Sequence, residues 1–462
     1  MPFFAASEGA RICGGRLAGP DREISAQWSC DSREVTCCGA FAALKGASTD
    51  GHLYIAGAAK AGAKMMLVSE DELEKQELAG KYSDISFIAV KDTEAALCML
   101  AREYLRRTAP KTLAITGSVG KTTTRELTAS ALRERFRVHS AVRSFNTLIG
   151  CSLTILSMPA DTEVLVLELG TNHFGEIAEM VESFPPEIAV ITEVAPCHLE
   201  GFGTVEGVLR AKTEICRSRS LKTVIYNCDN ELLKNYFASY KGDITAVPVG
   251  HSGGSGVRIG NCVVELGENG PRTEAEVTAE GGRYVLSSPL FGMQHSYNMA
   301  YAFAAAVKLG LSPHEAAAGI AGTKALSGRG VCRRIAKRGW LIDEAYNANP
   351  LSMHAAIENT RAAAERLGLR RCAVLGGMRE LGESSDHWHR RILAELGDFD
   401  EVMLLGSEWN ACGDLPANTR LFSSREDLIS AAAAVERDDS VILVKGSNSY
   451  GLKHIAGAFP EI

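Results

Sequence analysis

The chain has 462 residues, of which 46% are hydrophobic and 23% charged, and its formal net charge is −7. This length exceeds what one hydrophobic core serves and indicates about three domains. The acidic balance excludes a general nucleic-acid binder, because such proteins carry a surplus of basic residues. The first fifteen residues lack the basic segment and apolar core of a secretory signal, and no apolar run approaches the ~20 residues that cross a bilayer. Thirteen cysteines without a CxxC pair indicate reduced thiols. We therefore expect a cytoplasmic protein without a membrane span.

The first stretch, residues 1–108, predicts a small α/β domain. Short apolar runs at 41–44, 65–68 and 87–90 are separated by Gly and Asp turns, a pattern typical of short strands joined by turns and helices. The segment 106–111 contains Pro110 and is interpreted as a linker.

The second stretch, residues 109–326, predicts a doubly wound, mostly parallel sheet. Apolar, β-branched runs at 112–116, 164–169, 188–194 and 223–226 alternate with helical patterns. Strands covered by helices on both faces have such runs. The Gly-rich segment 250–282 is followed by an alternating run at 283–286, and we expect a small antiparallel insertion there.

The third stretch, residues 327–462, predicts a smaller Rossmann-like domain. Strand candidates lie at 340–343, 372–375, 402–405 and 441–444, and Ala-rich helical patterns lie at 353–367 and 428–435. Strands that alternate with helices favour a parallel sheet.

A glycine-rich loop in the second stretch predicts a nucleoside-triphosphate site. The predicted strand at 112–116 runs into GSVGKTT at 117–123, and a helical pattern follows at 125–135. Glycines allow backbone N–H groups to surround phosphate oxygens, and the helix directs its positive end toward them. Lys121 would reach the β- and γ-phosphates, and the hydroxyl of Thr122 would bind Mg²⁺. The competing interpretation is a Gly-rich turn before an ordinary helix. The ATP-binding candidates of this loop are Thr116, Gly117, Ser118, Val119, Gly120, Lys121, Thr122 and Thr123.

Three further residues become candidates by their positions. Glu168 and His198 follow predicted strands, and ligands bind at the carboxyl ends of strands in open α/β sheets. A carboxylate also suits Mg²⁺. Each residue taken singly also fits a structural role, and Lys212 by itself reads as a solvated lysine on a helix.

Several separated motifs together resemble the Mur ligases, ATP-dependent enzymes that form amide bonds in peptidoglycan synthesis. Their order along the chain makes the resemblance more specific than any one motif, and it covers nearly the whole chain. The motifs are DSR at 31–33, LKG at 44–46, DGH at 50–52, GSVGKTT at 117–123, ELGTNHFGEI at 168–177, DEAYNANP at 343–350, LGGMRELG at 375–382 and VKGS at 444–447.

The resemblance implies a division of roles among these residues. Asn298 would contact the nucleotide, Arg329 would reach its phosphates across the domain interface, and Asp343 with Glu344 would bind the ribose. Thr122 and Glu168 would hold one Mg²⁺. His198 and a carbamylated Lys212 would hold a second Mg²⁺. The catalytic set would be Lys121, Glu168, His198, Lys212 and Arg329. The substrate-binding set would be Ser32, Arg33, Lys45, Asp50, Asn146, Asn172, His173, Tyr346, Asn347 and Asn349.

The resemblance also implies the reaction. A monomer would join D-alanyl-D-alanine to UDP-muramoyl-tripeptide through an acyl phosphate, with ATP and Mg²⁺. Alternatives are a Mur-type ligase with another amine and a catalytically weak homologue that binds the UDP-muramoyl peptide. A simple P-loop kinase or GTPase leaves the two flanking domains unexplained. Two departures from the family pattern bear on these alternatives: Glu193 stands where an Asn is usual, and Gln294-His295 replaces His-Asn.

Overall fold

The structure is a computed structural model that describes residues 4–24, 27–46, 48–141, 144–268, 270–324 and 328–459. Three main sheets of five, nine and six strands follow one another along the chain, each covered by helices. The predicted three-domain α/β architecture is therefore confirmed. The predicted boundary between residues 326 and 327 lies outside the described residues.

The N-terminal domain has a mixed five-stranded sheet of order β2-β7-β6-β5-β4, in which only β2 runs antiparallel to its neighbour. A two-stranded ribbon of β1 and β3 lies beside it. Asp92 begins α5 by accepting hydrogen bonds from the backbone N–H groups of Glu94 and Ala95, both at 2.9 Å. The strands are β1 Phe4–Ala5, β2 Arg16–Ala18, β3 Glu23–Ile24, β4 Trp28–Ser29, β5 Ala40–Ala42, β6 Met65–Ser69 and β7 Ser86–Val90. The helices are α1 Ala6–Ile12, α2 Ile55–Ala61, α3 Glu70–Lys75, α4 Leu78–Lys81 and α5 Thr93–Thr108.

The central domain is a nine-stranded sheet of order β16-β15-β14-β13-β12-β11-β8-β10-β9. Strands β8 to β14 are parallel, and β14 to β16 form antiparallel hairpins. The strands are β8 Lys111–Thr116, β9 Val138–Ser140, β10 Val164–Glu168, β11 Ile188–Ile191, β12 Thr223–Asn227, β13 Thr245–Gly250, β14 Val257–Gly267, β15 Gly270–Ala279 and β16 Gly282–Ser288. The helices are α6 Lys121–Leu132, α7 Leu148–Leu156, α8 Glu176–Ser183, α9 Leu199–Phe202, α10 Val205–Lys212, α11 Glu231–Ala238, α12 Gln294–Lys308 and α13 Pro313–Ala321.

The antiparallel pairing expected for 250–282 is confirmed, but the segment is not a separate insertion. Its first strand, β14, pairs in parallel with β13 through Val249 and Val257, so the hairpins continue the central sheet. Alternating side chains of β14 and β15, such as Ile259, Ala275 and Val277, are buried in the core beneath α12. The alternation of apolar and polar residues along these strands indicated one buried face. The tertiary structure shows that this face belongs to the central sheet.

The C-terminal domain is a six-stranded sheet of order β17-β18-β22-β19-β20-β21, parallel except for β17. Separate apolar clusters cover its two faces, as the predicted Rossmann-like arrangement requires. The strands are β17 Val331–Arg334, β18 Trp340–Glu344, β19 Arg370–Gly376, β20 Glu401–Leu405, β21 Thr419–Phe422 and β22 Ser440–Lys445. The helices are α14 Pro350–Leu367, α15 Ser385–Ala394, α16 Arg425–Ala433 and α17 Lys453–Gly457.

The start of helix α14 at the domain interface is determined by residues next to it in the sequence. Asn349 accepts a hydrogen bond from the backbone N–H of Ser352 at 2.9 Å, and the Ser352 hydroxyl lies 3.0 Å from the backbone nitrogen of Asn349. Pro350 occupies the first helical position, where no N–H partner is needed. This capping box begins α14 beside the carboxyl end of β18, at the edge of the candidate site.

Candidate active site

One cavity of about 1320 Å³ lies between the central and C-terminal domains at the carboxyl ends of the central strands. Ligands bind at this edge in open α/β sheets. Both domains contribute polar and charged side chains to its wall. The predicted site residues that line it are Ser118, Val119, Gly120, Lys121, Thr122, Thr123, Asn146, Glu168, Asn172, His198, Asn298, Arg329, Glu344, Tyr346, Asn347 and Asn349.

The phosphate loop joins β8 to α6, as its sequence predicts. Gly117 has φ +143°, and a Cβ atom there would lie 2.0 Å from Oγ1 of Thr192. Gly120 has φ +81°, and a Cβ atom there would lie 2.6 Å from Oδ1 of Asn298. Both positions therefore need glycine for conformation and for space. The Thr192 hydroxyl donates to the Val119 carbonyl at 2.6 Å, which ties the loop to β11.

Lys121 folds over this loop. Its Nζ donates to the carbonyl of Gly117 at 2.7 Å and is 3.4 Å from that of Ser118. Burial lowers the pKa of Lys121, and the carboxylate of Glu168 opposes that shift. The ammonium is thus placed at the mouth of the loop, where it can meet phosphate oxygens.

Glu168, at the end of β10, is 1% exposed and belongs to a network that its sequence position alone does not reveal. Arg125, also 1% exposed, donates to Oε2 of Glu168 at 3.2 Å, and Nδ2 of Asn146 donates to Oε1 at 3.1 Å. A carboxylate has about four acceptor positions, so Glu168 retains capacity for a cation. Arg125 was not among the residues predicted from the sequence. It could have been found from its position four residues after Lys121, which places both side chains on one side of α6.

The other proposed metal ligands differ in their access to the cavity. Thr122 and His198 line its wall. Lys212, at the end of α10, is 1% exposed and does not line the cavity. Burial lowers the pKa of Lys212 to about 7, and the neighbouring charge of Lys121 adds to this effect.

The C-terminal domain adds a second group of charges. Nη2 of Arg329 lies 3.3 Å from the hydroxyl of Ser144, and its guanidinium stacks on the ring of Tyr346 at 3.9 Å. The Tyr346 hydroxyl also contacts Ser144, at 2.6 Å. Ser144 belongs to the central domain, so these contacts join the two domains at the cavity.

The pair expected to bind ribose divides into one cavity residue and one buried residue. Glu344 lines the cavity and pairs with the buried Lys445 at 3.4 Å. Asp343 does not line it; its Oδ1 accepts the backbone N–H of Ala345 at 3.1 Å. Burial raises the pKa values of both carboxyls, and Lys445 opposes the shift at Glu344. The turn after β18 uses the Asp343 side chain internally, so Glu344 is the member of the pair that faces the cavity.

Asn298 supports the phosphate loop from α12. Its Oδ1 accepts from the hydroxyl of Thr124 at 3.2 Å and faces Gly120. Its Nδ2 lies 3.2 Å from Nδ1 of His295, which is 3% exposed. Burial lowers the pKa of His295 to about 4, so this ring is neutral near pH 7.

Glu193, the unusual carboxylate, is satisfied within the protein. Nδ2 of Asn227 donates to it at 2.6 Å, Nδ2 of Asn230 also donates to it, and the backbone N–H of Val194 does so at 2.9 Å. Burial nevertheless raises its pKa. Amide N–H donors of the protein therefore surround this carboxylate.

The remaining sequence candidates do not line the cavity. Thr116 ends β8 and Gly117 begins the phosphate loop, and neither faces the cavity. His173 is exposed and pairs with Glu176 at 3.3 Å. Ser32, Arg33, Lys45 and Asp50 belong to the N-terminal domain. There Arg33 pairs with Asp31 at 2.6 Å, and Asp50 caps a short helix through the backbone N–H of His52 at 2.9 Å.

Comparison with known families assigns each domain. Residues 115–306 match the Mur ligase middle domain, residues 331–448 match the Mur ligase glutamate ligase domain, and residues 27–105 match the catalytic domain of the Mur ligase family. A UDP-N-acetylmuramoyl-tripeptide–D-alanyl-D-alanine ligase of Bacillus subtilis is 30% identical over 96% of each chain. The chain belongs to the Mur ligase family. An Escherichia coli ligase of the same name is also 30% identical, over 97% of each chain.

Solved Mur ligase structures share the whole fold. MurF from Thermotoga maritima, in complex with ADP, is 26% identical and aligns with a TM-score of 0.77 over 94% of this chain and 97% of the other. MurF from Acinetobacter baumannii is 24% identical and aligns with a TM-score of 0.83 over 99% of each chain, which shows the common fold. No helix in the described part of this Mur ligase is long and apolar enough to span a bilayer.

Proposed function

We propose that this Mur ligase uses ATP to join D-alanyl-D-alanine to UDP-N-acetylmuramoyl-tripeptide. The observation that carries the proposal is the cavity in which the phosphate loop of one domain faces Arg329 and Glu344 of the other. The Bacillus subtilis and Escherichia coli relatives are named for this activity, and this chain matches them over nearly their full lengths.

The residues of this cavity suit phosphoryl transfer. The terminal carboxylate of the tripeptide attacks the γ-phosphorus of ATP, which forms an acyl phosphate and releases ADP. The amine of the dipeptide then attacks the acyl carbon and phosphate leaves. Lys121, Arg329 and the loop N–H groups stabilise the negative charge on the transferred group, because such reactions depend mainly on positioning and electrostatics. The walls from two domains exclude water, which would hydrolyse the acyl phosphate.

The donor set of the cavity fits Mg²⁺. Thr122 offers a hydroxyl, Glu168 a carboxylate with spare acceptor positions, and His198 an imidazole, and all three face the same space. Bound Mg²⁺ would neutralise phosphate charge. Thr122 and Glu168 would hold one ion, and His198 would hold a second.

Lys212 is proposed to act as a carbamate. Only a neutral amine reacts with CO₂, and burial lowers the pKa of Lys212 to about 7, so much of the amine is neutral at physiological pH. The carbamate would be an anionic oxygen ligand of the kind that suits the second ion. Its negative charge would also offset the repulsion between Lys212 and Lys121.

Four N-terminal residues are proposed to bind the UDP portion of the substrate: Ser32, Arg33, Lys45 and Asp50. Within the cavity, Asn146, Asn172, Tyr346, Asn347 and Asn349 are proposed to contact the peptide or nucleotide, and His173 remains a substrate-binding proposal outside it. We further propose that the protein is a cytoplasmic monomer with domains at 1–108, 109–326 and 327–462.

Phosphate release with ATP, Mg²⁺ and UDP-muramoyl-tripeptide tests the function. Release that requires D-alanyl-D-alanine and yields a pentapeptide by mass supports the proposal. Tripeptide-dependent release without a need for the dipeptide identifies a ligase with another amine. No release from folded protein that binds the UDP-sugar identifies a non-catalytic homologue.

Lys121→Ala provides the matched test of the phosphate loop. We expect a loss of turnover of at least ~10³-fold, because the variant removes a cation that faces the transferred phosphoryl group. Lys308→Ala, which alters an exposed lysine on α12, should keep wild-type turnover. Normal turnover of Lys121→Ala would contradict the assigned loop.

A further inference from the structure

A loop of the C-terminal domain meets the proposed metal ligand His198. The loop follows β19, and the carboxylate of its Glu380 contacts Nδ1 of His198. The backbone N–H of Leu199 donates to the Glu380 carbonyl at 2.9 Å, and Gly382 lies against Glu200. Side chain and main chain thus join the two domains at one point on the cavity wall.

Both residues of this pair adopt a left-handed backbone conformation that residues other than glycine rarely adopt. His198 has φ +50° and Glu380 has φ +65°. Left-handed conformations of non-glycine residues are strained and concentrate at functional sites. Two such residues facing each other across a domain interface indicate that their placement serves the site.

The structure supports the two side chains from behind. His389 is fully buried, its Nδ1 lies 2.8 Å from the Ser385 carbonyl, and its Nε2 accepts the backbone N–H of Met378 at 3.0 Å, which anchors the loop that carries Glu380. The ring of His198 meets the ring of Phe202 edge-on at 6.5 Å. These contacts hold the loop backbone and the imidazole ring in place, and the half-exposed carboxylate of Glu380 reaches the ring from this anchored loop.

We propose that Glu380 is a positioning residue that fixes the imidazole of His198 for cation binding and couples that binding to docking of the C-terminal domain. When Nδ1–H donates to the carboxylate, Nε2 carries the lone pair and is the nitrogen available to a cation. Histidines that bind metals usually donate their other N–H to such a partner, and loss of the partner typically weakens metal affinity 10–100-fold. Here the partner comes from another domain. The inference rests on the proposed role of His198 as a metal ligand.

The test measures Mn²⁺ binding and ligation in the full-length protein with a β,γ-imido analogue of ATP. Electron paramagnetic resonance titration gives the two Mn²⁺ affinities, and electron spin-echo modulation detects an imidazole nitrogen bound to Mn²⁺. We expect Glu380→Ala to weaken one of the two affinities about 10–100-fold, with an unchanged melting temperature. Glu383→Ala alters an exposed carboxylate in the same loop and should match the wild type.

The outcomes separate this inference from the proposed function. No nitrogen coupling in the wild type, or equal coupling in His198→Ala, overturns the metal role of His198. Clear coupling that His198→Ala abolishes, together with unchanged or tighter Mn²⁺ binding in Glu380→Ala, overturns the positioning role alone. Small-angle scattering should show a larger radius of gyration for Glu380→Ala with Mn²⁺ and the analogue, and equal radii would overturn the coupling to domain docking.

Discussion

At the scale of single residues, burial sets the protonation of two groups near the site. Lys212 and His295 are 1% and 3% exposed, and burial lowers the pKa of Lys212 to about 7 and that of His295 to about 4. In both cases desolvation disfavours the charged form. The consequences differ, because a neutral lysine can react with CO₂ whereas a neutral histidine is a hydrogen-bonding group within the wall.

Lys212→Ala should lose most of the ligase activity, and acetate or another short carboxylate should restore part of it. The added carboxylate would supply the oxygen ligand that the carbamate otherwise provides. Turnover measured against acetate concentration checks this. Lys234→Ala, which alters a half-exposed lysine on α11, should show neither loss nor rescue. Full activity of Lys212→Ala without additives would contradict the carbamate.

His295 should make the protein less stable in acid. As pH falls below about 6.5, the unfolded chain protonates this histidine while the folded protein, with its pKa at about 4, does not. The free energy of unfolding therefore falls by about 2 kcal/mol between pH 6.5 and pH 4.5 through this group. Urea unfolding at pH 6.5 and 4.5 measures the free energy of unfolding. Between these two pH values His295→Gln should lose less of it than the wild type does, by about this amount. His454→Gln, at an exposed site, should lose stability as the wild type does; an equal loss in His295→Gln would contradict the assignment.

At the scale of elements, the phosphate loop depends on its contact with the neighbouring strand β11. Gly117 lies against Thr192, and the Thr192 hydroxyl holds the loop carbonyl of Val119. The absence of a side chain at Gly117 therefore does more than free the backbone. It allows the phosphate loop to contact the segment that follows β11 directly.

Gly117→Ala should reduce ATP affinity strongly and destabilise the fold by about 1–3 kcal/mol, since φ +143° suits glycine and the added Cβ would lie 2.0 Å from Thr192 Oγ1. Calorimetric ATP binding and thermal unfolding check both effects. Gly253→Ala is the matched control, because a Cβ there meets nothing within 4 Å. Unchanged ATP affinity in Gly117→Ala would contradict the close packing of the loop.

At the scale of the whole molecule, most of the cavity wall comes from the central and C-terminal domains. Besides Ser144 and Glu380, Asn359 of α14 makes a polar contact between them: its Oδ1 accepts the backbone N–H of Met293 at 3.1 Å and its Nδ2 donates to Gln294 at 2.8 Å. Asn359 is buried, so loss of these bonds leaves unsatisfied groups.

Asn359→Ala should weaken domain docking by about 1–3 kcal/mol. We expect a larger radius of gyration in small-angle scattering and a higher KM for ATP, because the two-domain cavity is assembled in fewer molecules. Asn235→Ala on the exposed face of α11 should alter neither quantity. A radius of gyration and KM equal to those of the wild type would show that this contact does not hold the domains.

Local sequence patterns predicted the secondary-structure elements and the chemistry of the individual motifs. Apolar β-branched runs located the parallel strands because both faces of such strands are buried. GSVGKTT located the phosphate loop because its glycines, lysine and threonine are needed within a few residues of one another. Separated motifs in the family's order indicated the Mur ligase family, which the comparisons confirm.

Contacts between side chains that are far apart in the sequence became known from the folded structure. Arg125 with Glu168, Glu193 with Asn227, and Glu380 with His198 are pairs separated by 34 to 182 residues, and nothing local specifies such contacts. The inward turn of Asp343 and the continuation of the central sheet through β14 likewise depend on neighbours from other parts of the chain. The physical reason is that side-chain orientation and strand pairing are fixed by packing, which no pattern along one segment contains.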